Sequence, residues 1–181
     1  MAIPRNKTVA VRAGSVTIGG DAPVSIQTMW KRPLRADEVS GVLAAIEGYR
    51  SLGCGLIRFA LPDKEGLTVL AEIAEQSLLP VVADIHFDYT LALACMETKI
   101  AKIRINPGNI GGPGKAEAVV KRAADTGKAL RIGINAGSLP VDLRDAPDVP
   151  EAMVRAAERE LEIIEKTGFD QAVFSLKSSN I

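Results

Sequence analysis

The sequence lacks the features that mark membrane, secreted and nucleic-acid-binding proteins. No stretch approaches the ~18 consecutive apolar residues of a membrane span, and the first residues contain no hydrophobic signal core. The two cysteines, Cys54 and Cys95, are too few and too far apart for a disulfide framework or a cysteine metal site. Lys and Arg number 22, as do Asp and Glu, which argues against a nucleic-acid surface or a polybasic membrane face. We therefore expect a soluble cytoplasmic protein that binds neither nucleic acid nor membrane.

Common nucleotide and zinc motifs are also missing. The segment "NIGGPGKA" (109–116) resembles a phosphate-binding loop, but Asn109 and Ala116 stand where that motif needs Gly and Ser or Thr. No GxGxxG follows a strand pattern, and there is no HExxH. We interpret the glycines between 108 and 114 as a mobile loop that joins a strand to a helix.

What the sequence does contain is a recurring unit: a short β-rich run, a break at Gly, Pro or Asp, and an amphipathic helical segment. The predicted strands are 24–29, 56–61, 81–87, 102–106, 129–135 and 172–178. The predicted helices are 36–53, 66–77, 89–99, 114–127 and 150–168. Asp37 is expected to cap the first helix, and Gly53, Gly127 and Gly168 are expected to end helices. Strands that alternate with helices predict βαβ units and a parallel sheet.

The first twenty residues follow a different pattern. The segment "TVAVRAGSVTIGG" (8–20) has two alternating runs around Ala13 and Gly14, which predicts a β-hairpin. We place this hairpin as a cap outside the repeating units. No linker divides the chain, so we expect one domain over residues 1–181.

The strand pattern distinguishes between the two α/β architectures built from such units. In a doubly wound sheet helices cover both faces, and the central strands are apolar throughout. Here Ile103 and Ile105 flank Arg104, and Ile57 and Phe59 flank Arg58. A polar inner face and an apolar outer face favour the (β/α)8 TIM barrel. Only six of the eight strands are found, so we expect the N-terminal part of a longer protein, the alternative being a short variant that dimerises to cover its edges.

Polar residues recur on the side of these strands that would face the barrel interior. They are Gln27, Arg58, Asp84, His86, Arg104, Asn106, Arg131, Asn135, Ser175 and Lys177. Lys102 shares this face but begins its strand, so we assign it to the bottom rim.

Among these residues four cations face one carboxylate, Asp84. An uncompensated buried charge costs several kcal/mol per ion. Either acids outside these strands neutralise the cations, or an anionic ligand does, and arginine suits phosphate. We therefore expect a substrate with more than one phosphate, or a diphosphate. Asp84 and His86 could form an acid–base or orienting pair, while Asn106 and Asn135 could either contact substrate or cap strand ends.

Five segments resemble one enzyme family. "VVADIHFDY", "IRINPGNIG", "RIGINAGSL" and "FSLKSS", together with "VTIGGDAPVSIQTM", are similar to the N-terminal barrel of the 4-hydroxy-3-methylbut-2-enyl diphosphate synthases of the non-mevalonate isoprenoid pathway. The resemblance implies a substrate-binding role for Arg58, Arg104, Arg131, Ser175 and Lys177. It implies a catalytic role for Asp84, His86, Asn106 and Asn135. The segment "MWKRPLRADEV" (29–39) departs from the Thr/Asn-rich loop of the family.

The resemblance also implies partners and a cofactor. Family members reduce a cyclic diphosphate of methylerythritol, take electrons from ferredoxin or flavodoxin, and act as homodimers. Their four-iron four-sulfur (4Fe-4S) cluster lies in a second domain, on three cysteines and a glutamate. Neither cysteine of this chain matches a cluster-ligand motif, so we expect no metal ligands here and no activity from this chain alone. The remaining alternatives are a pteroate-synthase-like barrel and a non-catalytic anion-binding module.

Overall fold

The computed structural model describes residues 6–179 and contains two sheets. Strands β1 (Val11–Ala13) and β2 (Val16–Ile18) form an antiparallel hairpin. The second sheet is parallel and comprises β3 (Gln27–Trp30), β4 (Leu56–Ala60), β5 (Val81–Asp84), β6 (Lys102–Ile105), β7 (Ala129–Asn135) and β8 (Ala172–Lys177). Its helices are α1 (Val39–Ser51), α2 (Lys64–Gln76), α3 (Tyr89–Met96), α4 (Pro113–Thr126) and α5 (Val149–Thr167). The ends of the predicted domain, 1–5 and 180–181, lie outside the described residues.

The order of the parallel strands identifies the architecture. Each strand from β3 to β8 pairs with the next one in the chain, whereas a doubly wound sheet reverses its order at a switch point. The strands therefore follow one another around a curled half-barrel, and the prediction of an incomplete TIM-type barrel with an N-terminal hairpin is confirmed.

Local signals explain most of the helix ends. Gly127 and Gly168 cap α4 and α5 in the left-handed conformation, with φ of 64° and 65°, and Gly53 follows the C-cap of α1. The expected cap at Asp37 is wrong, because this residue lies inside a 3-10 turn (Ala36–Glu38) and α1 starts only after it. Side chains that accept a backbone N–H cap three other helices: Asp63, Asp88 and Asp148.

The outward face of the half-barrel forms the main core. Side chains that alternate along the strands pack beneath the helices, among them Ile57, Phe59, Ile103, Ile105 and Ile132. All five are inaccessible to solvent, and each contributes about 1.5–3 kcal/mol by its burial. This face leaves the intervening side chains pointing into the barrel.

The hairpin closes the bottom of the half-barrel, where the parallel strands begin. Val11 and Ala13 of β1 pack against Leu56, Val82 and Ala129, which lie on the inward face of their strands. The turn of the hairpin fits closely against the starts of β5 and β6, since a Cβ at Gly14 would lie 3.1 Å from Pro80. The hairpin is therefore an apolar plug that keeps water from the lower interior.

No helix within residues 6–179 is long and apolar enough to cross a membrane.

Replacing Val11 by Ala should lower the free energy of unfolding by about 1–3 kcal/mol, because it leaves a cavity between the hairpin and the strands. Val9→Ala is the matched control, since Val9 is two-thirds exposed and should change stability by less than about 0.5 kcal/mol. Urea unfolding followed by circular dichroism measures both. Equal effects of the two substitutions would contradict the role of the hairpin as a plug.

Candidate functional site

Strand register brings the inward polar residues into rows. Asp84 of β5 pairs with Arg104 of β6, and Arg104 pairs with Arg131 of β7. Arg58 of β4 lies opposite Val82, one inward position closer to the bottom. Because adjacent strands lie about 4.8 Å apart, these side chains reach one another across the inner face. We call Arg58, Arg104 and Arg131 the arginine row.

Asp84 is the centre of a hydrogen-bonded cluster. Its side chain is 1% exposed. Arg58 Nη2 donates to Oδ2, and Arg104 Nη1 donates to Oδ1 at 3.0 Å. His86 Nε2 lies 3.3 Å from Oδ2. One carboxylate thus holds two guanidinium groups and an imidazole together.

The surroundings of Asp84 decide its charge. Burial by itself raises the pKa of Asp84, but the hydrogen bond from Arg58 and the charges of Arg58, Arg104 and His86 outweigh it and hold the pKa below its usual range. Asp84 therefore stays ionised at neutral pH and serves as a fixed acceptor rather than as a proton donor.

His86 stands between this cluster and solvent, with 44% of its side chain exposed. Its Nε2 lies 3.4 Å from Arg104 Nη1 as well as 3.3 Å from Asp84. With a proton on Nε2 the ring donates to Asp84, and without one it accepts from Arg104. The ring can hold or release a proton at Nε2 and keep a partner in both states.

The arginine row has more donors than the chain satisfies. Arg131 Nε donates to Ser175 Oγ at 3.0 Å, but no carboxylate within residues 6–179 lies within ion-pair distance of Arg131. Burial, followed by the charges of Arg58 and Arg104, lowers the pKa of Arg131, against an opposing effect of Asp84. Arg58 Nε is buried and has no hydrogen-bond partner in the described part of the chain. These groups suit an anion that enters from the mouth.

Lys102 is a further buried cation, and its placement at the bottom rim needs correction. Its side chain faces inward and is 4% exposed, since the hairpin plug covers the strand starts that would otherwise meet water. Burial, with the nearby charges of Arg131 and Arg58, lowers its pKa to about 8. Gln27 lies opposite Leu56, one inward position below the level of Arg58 and Lys102.

Above the cluster, at the C-terminal ends of the strands, lies a cleft of about 380 Å³, which we call the mouth cleft. Its polar lining comprises His86, Asn106, Asn109, Asn135, Ser138, Lys177 and Ser179. The nine residues predicted for the site thus fall into three groups: the cluster of Arg58, Asp84, His86 and Arg104; the pair Arg131 and Ser175; and the mouth residues Asn106, Asn135 and Lys177.

Asn106 joins two loops at this mouth. It is 2% exposed, its Nδ2 donates to Ser138 Oγ at 2.7 Å, and its Oδ1 accepts from the Gly108 N–H at 3.1 Å. Gly108 has no room for a side chain, because a Cβ there would lie 2.1 Å from the carbonyl oxygen of Ser138. The amide of Asn106 therefore fixes the loop after β6 against the turn after β7.

Sequence reasoning missed Gly133, Lys102 and Ser138 as parts of the site. A Cβ at Gly133 would lie 2.6 Å from Arg104 Nε, so the absence of a side chain gives the guanidinium the space to reach Asp84. A glycine inside a strand, between Arg131 and Asn135, is a usable signal of such close approach. Ser138 carries no comparable signal.

The donor set does not fit an iron–sulfur cluster. Cys54 Sγ donates to the carbonyl oxygen of Leu56 at 3.1 Å, and burial raises the pKa of the Cys95 thiol to about 12, so Cys95 is not a thiolate ligand. Within residues 6–179 no three His, Cys, Asp or Glu side chains come together as a metal site.

The family model and the curated relatives that match this chain point to the same family. Residues 8–181 match the family described as the GcpE TIM-barrel domain. The relative in Treponema denticola is 41% identical over 92% of this chain, and the one in Anoxybacillus flavithermus is 43% identical over 99%. Both are named 4-hydroxy-3-methylbut-2-en-1-yl diphosphate synthase (flavodoxin). The chain covers 49% of each relative, so it spans about half the length of the curated relatives it matches.

Solved structures share the fold at low sequence identity. Dihydropteroate synthase from Yersinia pestis aligns with a TM-score of 0.62 at 14% identity, covering 92% of this chain and 62% of that one. A truncated 3-deoxy-D-arabino-heptulosonate 7-phosphate synthase from Thermotoga maritima aligns with a TM-score of 0.63 at 15% identity, covering 97% and 60%. These likenesses support the barrel fold and give no preference to the pteroate-synthase alternative.

Lys102→Met should stabilise the protein at neutral pH and less so at high pH. The pKa of Lys102 is lowered from 10.5 to about 8 on folding, so below about pH 8 its charge costs roughly 3 kcal/mol, and the cost disappears as pH rises toward the unfolded pKa. Urea unfolding in phosphate-free buffer between pH 7 and 10 measures the difference. Lys7→Met, at an exposed position, is the control, and a pH-independent gain from Lys102→Met would contradict the burial of a charged lysine.

Gly133→Ala should destabilise the protein by about 1–3 kcal/mol, since the new methyl group would displace the Arg104 guanidinium from Asp84. Gly114→Ala serves as the control, because a Cβ there would meet nothing within 4 Å. A glycine-to-alanine change without a clash is usually neutral or stabilising. A gain in stability from Gly133→Ala in thermal unfolding would show that Arg104 does not need this space.

Proposed function

Since this chain belongs to the GcpE TIM-barrel family, we propose that it is the substrate-binding barrel portion of a 4-hydroxy-3-methylbut-2-enyl diphosphate synthase. The proposed reaction converts the cyclic diphosphate of methylerythritol into hydroxymethylbutenyl diphosphate. Two electrons and two protons are consumed, the ring opens and one water is released. The names of the relatives and their identity of 41–43% over nearly the whole chain support this assignment.

The surplus of positive charge on the inward face is the observation that carries the proposal. On the inward face of strands β3 to β8, five cations stand against the single carboxylate of Asp84: Arg58, Lys102, Arg104, Arg131 and Lys177. A diphosphate supplies the missing negative charge, and its oxygens can accept from the unpartnered Arg58 Nε and from Arg131. The substrate would lie with its diphosphate against the arginine row and its carbon skeleton in the mouth cleft.

The roles of the remaining residues follow from where they lie. Asp84 orients Arg58 and Arg104 for the diphosphate and remains ionised. His86, at the exposed edge of the cluster, is proposed to hold or deliver a proton at Nε2. Ser175 orients Arg131, and Lys177 and Asn135 contact the substrate from the mouth. Asn106 contributes as a positioning residue, because its amide is already engaged by Ser138 and Gly108.

The redox part of this function is proposed to come from outside the chain. A cluster on three cysteines needs more cysteines than the two present, and neither of these fits as a ligand. We propose that residues 1–181 form one substrate-binding domain, inactive alone, that works with a 4Fe-4S domain in a cytoplasmic homodimer. Flavodoxin, which the names of the relatives mention, or ferredoxin would supply the electrons.

Titration calorimetry of the cyclic diphosphate against the 181-residue chain tests this proposal. We expect binding that is weakened about 10- to 150-fold by Arg131→Ala, because one charge-assisted hydrogen bond is worth about 1.5–3 kcal/mol. Arg104→Ala should weaken the affinity at least as much, since it also removes a hydrogen-bond donor from Asp84. The matched control is Arg122→Ala on the outer face of α4, where Arg122 pairs with Glu97 in solvent.

Three outcomes would count against the proposal. Absence of binding would leave a non-catalytic module, and binding that survives Arg104→Ala and Arg131→Ala would place the ligand elsewhere. Tighter binding of a pterin diphosphate than of the cyclic diphosphate would favour the pteroate-synthase alternative.

A further inference from the structure

A second cavity lies on the outer side of the half-barrel, separated from the arginine row by the sheet. It has a volume of about 650 Å³ and lies between α4 and α5. Its apolar walls include Ile134 from the outward face of β7, Ala156 and Ile163 from α5, and Pro113 and Val141 above them. We call it the helix-side cavity. Its size and apolar lining are those of a small-molecule site.

Glu160 is the unusual member of this lining. It stands on the buried stripe of α5, one turn after Ala156 and one turn before Ile164, where an apolar residue is expected. Glu160 is 8% exposed, its Oε2 is buried, and no hydrogen-bond donor within residues 6–179 reaches its carboxyl group. Burial raises its pKa to about 7. A carboxyl group in this position lacks the partner that buried acids need.

The charged residues around the cavity do not provide that partner. Arg159 is bound to Asp142 at 3.0 Å, and Lys166 is 3.7 Å from Glu162. The fourth acid of the lining, Glu117, is paired with Lys121 outside it. Each cation at the rim therefore already has an acid, and Glu160 leaves the cavity with surplus negative charge.

We propose that the helix-side cavity binds a small organic cation, a primary ammonium group on a short apolar or aromatic body. The ammonium would donate to the Glu160 carboxylate, and the body would cover Ile134, Ala156 and Ile163. A metal ion fits less well, since it needs several oxygen ligands and Glu160 is the single unpaired acid of the lining. The cavity shares Asn106 and Ser138 with the mouth cleft and none of the arginine row, and Glu160 has no part in the proposed function.

Calorimetric titration of 2-phenylethylammonium against the 181-residue chain tests the site. The titration is done at pH 8, because Glu160, with a pKa of about 7, is then mostly ionised. We expect binding for this probe, and at least about 10-fold weaker binding for 2-phenylethanol, which has the same shape without the charge. Glu160→Gln should weaken the binding of 2-phenylethylammonium by about 10-fold or more, since the substitution keeps the size of the side chain and removes its charge. Glu158→Gln, an exposed position on the same helix outside the cavity, should leave the affinity unchanged.

A second variant keeps the test decisive if Glu160→Gln fails to fold. Val141→Lys adds a cation at a rim position that is 79% exposed, so it should weaken the binding of 2-phenylethylammonium several-fold more than the binding of 2-phenylethanol. No binding of the ammonium to the unaltered chain would overturn the proposal. Equal affinity for the ammonium and the alcohol, or an affinity unchanged by both Glu160→Gln and Val141→Lys, would do the same.

Discussion

The carboxylate of Asp84 is the constraint on which the rest of the inner face depends. Guanidinium groups on neighbouring strands repel one another, and a desolvated cation without a partner costs several kcal/mol. Asp84 receives hydrogen bonds from Arg58 and Arg104, and His86 Nε2 lies within hydrogen-bond distance of it. It partly neutralises the arginine row while leaving Arg131 and Arg58 Nε available. The same carboxylate therefore reduces the repulsion within the arginine row and still leaves the inner face of β3 to β8 with a surplus of positive charge.

Because side chains alternate between the two faces of a strand, the apolar core lies on the outward face of the sheet and the charged cluster on the inward face. Residues such as Ile103 and Ile105 complete an apolar core with the helices, while Arg104 between them belongs to the cluster. The hairpin plug extends this separation to the bottom, since Val11 and Ala13 exclude water from the level at which Lys102 begins its strand. Burial there lowers the pKa of Lys102, because the packing that stabilises the barrel also disfavours the charged form of the lysine.

Glu160 shows the opposite situation on the outer side of the same sheet. The inner face carries surplus positive charge on rigid strands, whereas the helix-side cavity carries one unpaired acid on α5. Both are buried groups with too few partners, and both are more costly than an apolar side chain of similar size. A ligand of opposite charge would offset this cost at either place.

Sequence periodicity alone determined the six strands, the five helices, the hairpin and the inward parity of Arg58, Arg104 and Arg131, because alternation and helix-ending glycines are local properties. It did not reveal that Arg58 and Arg104 share one carboxylate, that Lys102 is buried, or that Gly133 makes room for Arg104. Those relations join residues 20 or more positions apart, and only strand register sets their distances. Asp37 failed as a cap because a 3-10 turn moved the helix start, and Glu160 looked like an ordinary polar helix residue. Only the packing of α5 against the sheet buried its Oε2 without a hydrogen-bond donor from residues 6–179.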